Sequence, residues 1–154
     1  MRLRSRDQRA SAIRLEKISA TQSIPSSGAA NFVSYDAIPM VRGNDFEADY
    51  STGFIMCKTT GLVLVIFQAC WQAAGAADSA RQILIKHQHR GATNIRAEDR
   101  DVGTAAEGAG KNRNVSMILE VDQNDTIWAE VMQNSGSAIN LNTGTILTAA
   151  YLGN

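Results

Sequence analysis

The run Gly61–Trp71, with the sequence GLVLVIFQACW, has no charged residue and constrains the fold more than any other stretch of the chain. It is rich in β-branched side chains and too short to span a membrane, so it predicts a β-strand. Both faces of this strand are apolar, whereas an antiparallel strand with one wet face alternates apolar and polar residues. A second sheet must cover one face, and helices or another subunit must cover the other. Helical patterns are scarce elsewhere, which favours another subunit.

The charge distribution separates the N-terminus from the rest of the chain. The 154 residues are 44% hydrophobic and 19% charged, which is typical of one globular domain. Residues 1–17 carry a net charge of +4, and residues 18–154 carry −4. We therefore predict a domain at 18–154 preceded by an extended arm that docks on a partner or remains a solvated tail. The basic residues of this arm are Arg2, Arg4, Arg6, Arg9, Arg14 and Lys17. We expect no nucleic-acid partner, because the arm lacks interleaved aromatic residues.

Short β-forming runs separated by turn residues recur along the whole domain. This spacing predicts an all-β fold, an antiparallel ten-strand jelly-roll sandwich. Residues 87–113 are polar and rich in glycine, so we expect a long surface loop with at most one short strand there. The segment around Pro39 and Gly43 is expected to be irregular. The predicted strands besides the central run are Ile18–Ile24, Phe32–Tyr35, Phe54–Cys57, Gln82–Lys86, Asn114–Val121, Thr126–Gln133 and Thr145–Leu152.

Few residues suggest chemistry. His87 and His89 would share one face of a strand and could ligate a metal, but the sequence fixes no carboxylate or cysteine beside them. We therefore expect an exposed polar pair and no metal or cofactor. No catalytic framework is evident, so we expect no enzyme; the remaining enzymatic alternative would use Glu120 and Glu130 as paired acids.

The two cysteines, Cys57 and Cys70, lie on neighbouring apolar runs. A thiol in such a run usually behaves as a small buried hydrophobic group, and nothing in the sequence indicates an oxidising compartment. Both cysteines are therefore predicted to be buried free thiols.

Several motifs occur in an order that resembles a known superfamily. They include Ala20–Ser26, the series Phe46, Tyr50 and Thr52-Gly53-Phe54, the central run, and Arg81–Ile85. The strongest match is Val115–Gly136, followed by an apolar strand at Thr145–Leu152. In this order they resemble the jelly-roll superfamily of tumour necrosis factor and the globular head of the first complement component.

This resemblance implies a homotrimer whose inner sheets face a three-fold axis. Such an arrangement supplies the second cover that the central run requires. Which face of Gly61–Trp71 points towards the axis stays open. The residues expected in the trimer interface or core are Val63, Val65, Phe67, Trp71, Met117, Leu119, Tyr151 and Leu152.

Similar domains usually sit on a collagen-like or coiled-coil stalk in secreted proteins, and the sequence has no Gly-X-Y repeat, heptad or signal peptide. We therefore expect a bacteriophage virion component, such as a head decoration protein, capsid fibre or fibre tip. It would be assembled in the host cytoplasm, without membrane association, and its arm would dock on other virion structural proteins. The alternative is a head that binds a receptor or glycan at a host surface through the loops Ala73–Ala80 and His87–Arg113.

Overall fold

The computed structural model of the protein describes residues 11–72, 80–102 and 112–154. Within these residues the chain forms thirteen β-strands and no helix, so the predicted all-β class is confirmed. The strands are β1 (Ala12–Glu16), β2 (Gln22–Ile24), β3 (Asn31–Phe32), β4 (Ala37–Arg42), β5 (Phe46–Asp49), β6 (Phe54–Cys57), β7 (Gly61–Cys70), β8 (Ala80–His89), β9 (Ala92–Val102), β10 (Asn112–Val121), β11 (Thr126–Gln133), β12 (Ile139–Leu141) and β13 (Ile146–Gly153).

Two antiparallel sheets pack face to face as a jelly-roll sandwich. The five-stranded sheet has the order β10-β7-β13-β1-β4. The six-stranded sheet has the order β5-β6-β11-β8-β9, with β3 also paired to β11. A small third sheet joins β12 to β2. The apolar run predicted from the sequence is β7, in the interior of the five-stranded sheet between β10 and β13.

The core lies between the two large sheets and decides which face of β7 points inward. Val63, Val65 and Phe67 are fully buried in the same hydrophobic cluster as Ile85 and Ile127 of the six-stranded sheet. Because side chains alternate along a strand, Leu62, Leu64 and Ile66 point away from this core. The structure thus shows which face of β7 lies in the core of the chain.

The predicted arm at residues 1–17 is too long. Ala12–Glu16 forms β1, which pairs with β13 on one side and β4 on the other. Ile13 and Leu15 are buried in the core. The end of the predicted arm therefore belongs to the sandwich, and residues 1–10 lie outside the described part of the chain.

Edge positions account for two further errors in the predicted strands. The region 87–113 was expected to be mainly loop, but β8 runs to His89 and β9 occupies Ala92–Val102. Among the described strands β9 ends its sheet, and Ala92–Arg96 are exposed, so no alternating apolar pattern is required there. Similarly, β4 is an edge strand of the five-stranded sheet, where Pro39 is tolerated.

The predicted strand Ile18–Ile24 is shortened to β2 because its first residues bind a carboxylate instead. Asp36 accepts hydrogen bonds from the backbone N–H groups of Ile18 at 2.6 Å, Ser19 at 3.0 Å and Ala20 at 2.7 Å. These hydrogen bonds hold the pKa of Asp36 well below its usual range, and the bond from Ile18 has the largest effect.

Replacing Asp36 by asparagine should lower the free energy of unfolding by about 1 kcal/mol at pH 7, because charge-assisted hydrogen bonds are lost at a partly solvated site. The folded pKa is depressed, so this contribution is present above the unfolded value of about 3.9 and declines as pH falls below it. Urea unfolding at pH 7 and pH 3 should show the difference between Asp36→Asn and wild type shrinking at pH 3. Glu47→Gln, at an exposed carboxylate, is the control, and a difference that grows in acid would contradict the prediction.

Both cysteines are buried free thiols, which confirms the prediction. Cys57 lies on β6 and Cys70 at the end of β7, in different sheets. Burial raises the pKa of the Cys57 thiol to about 12, and the nearby Asp125 carboxylate adds to this shift. The Cys57 thiol is therefore protonated and unreactive at neutral pH.

Candidate functional site

The outer surface of the five-stranded sheet carries a row of exposed aliphatic side chains. Cross-strand pairing sets Ile118 of β10 beside Leu64 of β7, and Leu64 beside Ala150 of β13. Four large members of the row are between 41% and 57% exposed. We name this surface the apolar face; it consists of Leu62, Leu64, Ile66, Ile118, Ala150 and Leu152.

Polar groups surround the apolar face. At one end, uncharged side chains continue the same strands: Gln68 on β7, Ser116 on β10 and Thr148 on β13. On the neighbouring β1, Arg14 and Glu16 form a salt bridge of 2.9 Å. An apolar centre with a polar rim is the usual anatomy of a protein–protein interface, and contiguous exposed apolar patches mark interaction sites.

Most residues predicted for the trimer interface or core lie in the core of one chain. Val63, Val65, Phe67, Trp71 and Leu119 are buried, and Met117 and Tyr151 are partly buried against them. Leu152 is the one predicted residue that lies on the apolar face. The other members of that face were missed as site residues.

The signal that could have identified them was already in the sequence. Leu62, Leu64 and Ile66 alternate with the core residues of β7, and β7 has no charged residue on either side. Only the location of the other sheet tells the two sets apart.

Two residues of the predicted docking arm have structural partners instead. Lys17 is 2% exposed, and its Nζ donates hydrogen bonds to the backbone oxygen of Ser34 at 2.7 Å and to its Oγ at 3.3 Å. Burial lowers the pKa of Lys17, and Asp36 partly opposes this shift. Arg14 is engaged by Glu16 on its own strand. The remaining arm residues, Arg2, Arg4, Arg6 and Arg9, lie outside the described part of the chain.

The expectation of an exposed histidine pair without a carboxylate is wrong. His87 is 1% exposed, and its Nε2 lies 2.9 Å from Oδ2 of Asp125. The Nδ1 atom of His89 lies 2.7 Å from the same oxygen. Burial lowers the pKa of His87, although the Asp125 carboxylate opposes this shift.

The two acids considered for an enzymatic alternative do not meet. Glu120 is exposed on β10 of the five-stranded sheet, whereas Glu130 is buried on β11 of the six-stranded sheet. Glu130 accepts a hydrogen bond from Trp128 Nε1 at 2.9 Å and lies 3.4 Å from Lys86 Nζ. This pair therefore offers no shared groove for acid–base chemistry. Among the described residues, no helix is long and apolar enough to cross a membrane.

Comparison with solved structures identifies the fold. The protein superposes on murine APRIL with a TM-score of 0.70, covering 93% of this chain and 99% of that one at 14% identity. The fold is that of the tumour necrosis factor and complement globular heads. Eiger TNF from S. frugiperda gives a TM-score of 0.66 at 10% identity, covering 94% of both chains. The globular domain of zebrafish complement 1qA protein gives 0.64 at 14% identity, covering 92% of this chain and 96% of that one.

Sequence comparison finds no such relatives. No family model and no curated protein matches the chain. The predicted resemblance is therefore confirmed at the level of the fold. Each superposition covers more than nine-tenths of this chain and of the solved structure.

Proposed function

We propose that the chain is a non-enzymatic structural head that assembles as a homotrimer, with the apolar faces of three five-stranded sheets packed around a shared axis. The observation that carries this proposal is the apolar face itself. It spans β10, β7 and β13, and the opposite face of these strands is already covered by the core. The shared fold supports it, because the resemblance to these globular heads implies assembly through the same sheet.

Burial of the apolar face would drive assembly. Removing apolar surface from water contributes about 25 cal/mol per Å², and each chain of a trimer buries its own copy of the face. The polar rim would allow water and hydrogen bonds at the periphery of the interface. Helices that covered the apolar face would require an additional segment of sequence. Other copies of the same chain can cover it without one.

We further propose that the trimer is a bacteriophage virion component that docks on an acidic surface of a capsid or fibre protein. The support is the arginine cluster at Arg2, Arg4, Arg6 and Arg9, which immediately precedes the described part of the chain. Such docking would weaken as salt is added, because exposed charges are screened within about 10 Å at 0.1 M ionic strength.

The trimer is tested by light scattering during size-exclusion chromatography at micromolar concentration. We expect a mass three times that of the 16.6 kDa chain. A monomer under these conditions would refute the assembly.

The docking proposal is tested by replacing the four arginines of residues 1–10 with glutamine. The variant should remain a trimer but no longer co-purify with virion particles. The control replaces Arg42 and Lys58, two exposed basic residues of the sandwich, with glutamine, which removes half as many charges from a different surface. Equal co-purification of the arginine variant and the control would reject the arm as the anchor.

A receptor- or glycan-binding head is the second candidate, and an exposed aromatic cluster favours it. Phe32 is 54% exposed, and its ring lies 5.8 Å from that of Phe54 and 6.2 Å from that of Trp128. Aromatic side chains combine apolar area with specific geometry and are enriched at binding surfaces. Of the loops predicted to carry such binding, residues 73–79 and 103–111 lie outside the described part of the chain. Cell or glycan binding that survives loss of the arginines but is lost in Phe32→Ala would support this candidate.

A further inference from the structure

Two imidazoles and one carboxylate converge at one end of the six-stranded sheet. His87 and His89 occupy alternate positions of β8 and therefore share a face of that strand. The pairing of His87 with Ile127 brings the residues just before β11, including Asp125, next to the end of β8. One potential ligand atom from each of His87, His89 and Asp125 lies within 4.8 Å of the other two.

We propose that His87, His89 and Asp125 form a binding site for a divalent transition-metal ion, with Zn²⁺ as the best match. Two imidazole nitrogens and one carboxylate oxygen form a ligand set that zinc uses in three-ligand sites, where water takes the fourth position. Calcium and magnesium prefer sites made of oxygen alone, so the two nitrogens discriminate against them.

The site is preorganised by the turn that precedes β11. The backbone N–H of Asp122 donates a hydrogen bond to Oδ2 of Asp125 at 2.8 Å, and the backbone oxygen of Asp125 accepts one from the N–H of Cys57 at 2.8 Å. Because His87 is almost completely buried, packing restricts its ring. Two of the three ligands are therefore held near one another by contacts that do not involve a metal.

The third ligand can adjust. A tetrahedral zinc with bonds of about 2.0–2.1 Å holds its ligand atoms roughly 3.4 Å apart, somewhat farther than the present nitrogen–oxygen distances of 2.7 Å and 2.9 Å. The side chain of His89 is 25% exposed, so it can shift outward by the roughly 0.7 Å that its own distance requires. The distance between His87 and Asp125 must lengthen by roughly 0.5 Å as well, which a small rotation of the Asp125 carboxylate supplies. His89 also borders a cleft of about 250 Å³.

A neighbouring carboxylate lies behind the ring of His89. If Nδ1 of His89 binds the metal, Nε2 carries the proton, and this atom lies 3.9 Å from Oδ2 of Asp122. Arg90 Nε in turn donates a hydrogen bond to Oδ2 of Asp122 at 2.9 Å. A carboxylate behind a ligating histidine is a common arrangement at zinc sites, and it fixes the tautomer of the ring.

The test is a titration of the EDTA-treated full-length protein, freed of any polyhistidine tag, with ZnCl₂ in an isothermal titration calorimeter. We expect one ion per chain and a dissociation constant at or below about 1 μM, with MgCl₂ giving no saturable heat. His89→Gln should weaken binding at least about tenfold. Glu47→Gln, at an exposed carboxylate in a salt bridge with Lys58, is the matched control and should bind as wild type does.

Cobalt provides a second readout. Co²⁺ bound by these ligands should give visible absorption bands that are absent in His89→Gln and in Asp125→Asn. If Asp125→Asn does not fold, the His89→Gln result alone decides, because His89 is partly exposed. The proposal is overturned if zinc gives no saturable binding, or if His89→Gln binds zinc as tightly as wild type. All three ligands belong to one chain, so a failure to bind zinc would leave the proposed trimer standing.

Discussion

Replacing Ile118 by glutamate is expected to convert the proposed trimer into folded monomers. Ile118 is 57% exposed and lies beside Leu64 in the apolar face. In the monomer its side chain is solvated, so a glutamate there costs little. In the trimer, three carboxylates would lose water without gaining partners, and burying an unpaired charge costs several kcal/mol for each ion. At micromolar concentration this penalty exceeds the free energy of association of a trimer of moderate affinity.

Light scattering and circular dichroism measure the two parts of this prediction. The mass should fall to that of one chain while the β-sheet spectrum is retained. Ile95→Glu is the matched control, because Ile95 is 51% exposed on β9 of the six-stranded sheet and receives the same change. A trimeric Ile118→Glu protein would place the interface elsewhere, and so would dissociation by both substitutions alike.

Replacing Phe67 by alanine should lower the free energy of unfolding by about 3–5 kcal/mol. Phe67 is fully buried on β7, and its cross-strand neighbours are Val115 and Leu147. Truncation leaves a cavity between two paired sheets that cannot collapse freely, so a transfer cost and a cavity cost add. A loss of this size is a large part of the 5–15 kcal/mol that stabilises a typical domain.

Urea unfolding should be measured in the Ile118→Glu background, where the expected monomer makes the transition independent of concentration. Phe32→Ala is the control, because this exposed ring leaves no enclosed cavity; its cost should be about 1 kcal/mol or less. Comparable losses for the two substitutions would mean that Phe67 does not hold the two sheets together.

The sequence predicts the sandwich well where burial imposes a pattern. The uncharged run at Gly61–Trp71 identifies β7, and of its two apolar faces one lies in the core and the other is partly exposed. The pattern cannot say which face that is, since Val63 and Leu64 are equally apolar. Only the placement of the six-stranded sheet on the side of Val63 separates them.

Sequence reasoning fails where structure depends on partners distant in the chain. β9 reads as a polar loop because its described side chains are mostly exposed, and its backbone bonds to β8 leave no trace in residue type. The carboxylate of Asp125 meets His87 only through the pairing of β8 with β11. Sequence reasoning likewise assigns Lys17 to the basic arm, because nothing nearby in the sequence indicates its hydrogen bond to Ser34.

The position of β1 affects how the chain folds during synthesis. This first described strand pairs with β13, the last, and the N–H of Tyr151 donates a hydrogen bond to the backbone oxygen of Ser11. During synthesis β1 cannot be joined to β7 until β13 has been made, because β13 pairs with both of them. Such non-local pairing makes folding slow and leaves apolar strands temporarily uncovered. A chain that stops before β13 would therefore lack the strand that lies between β1 and β7 in this sheet.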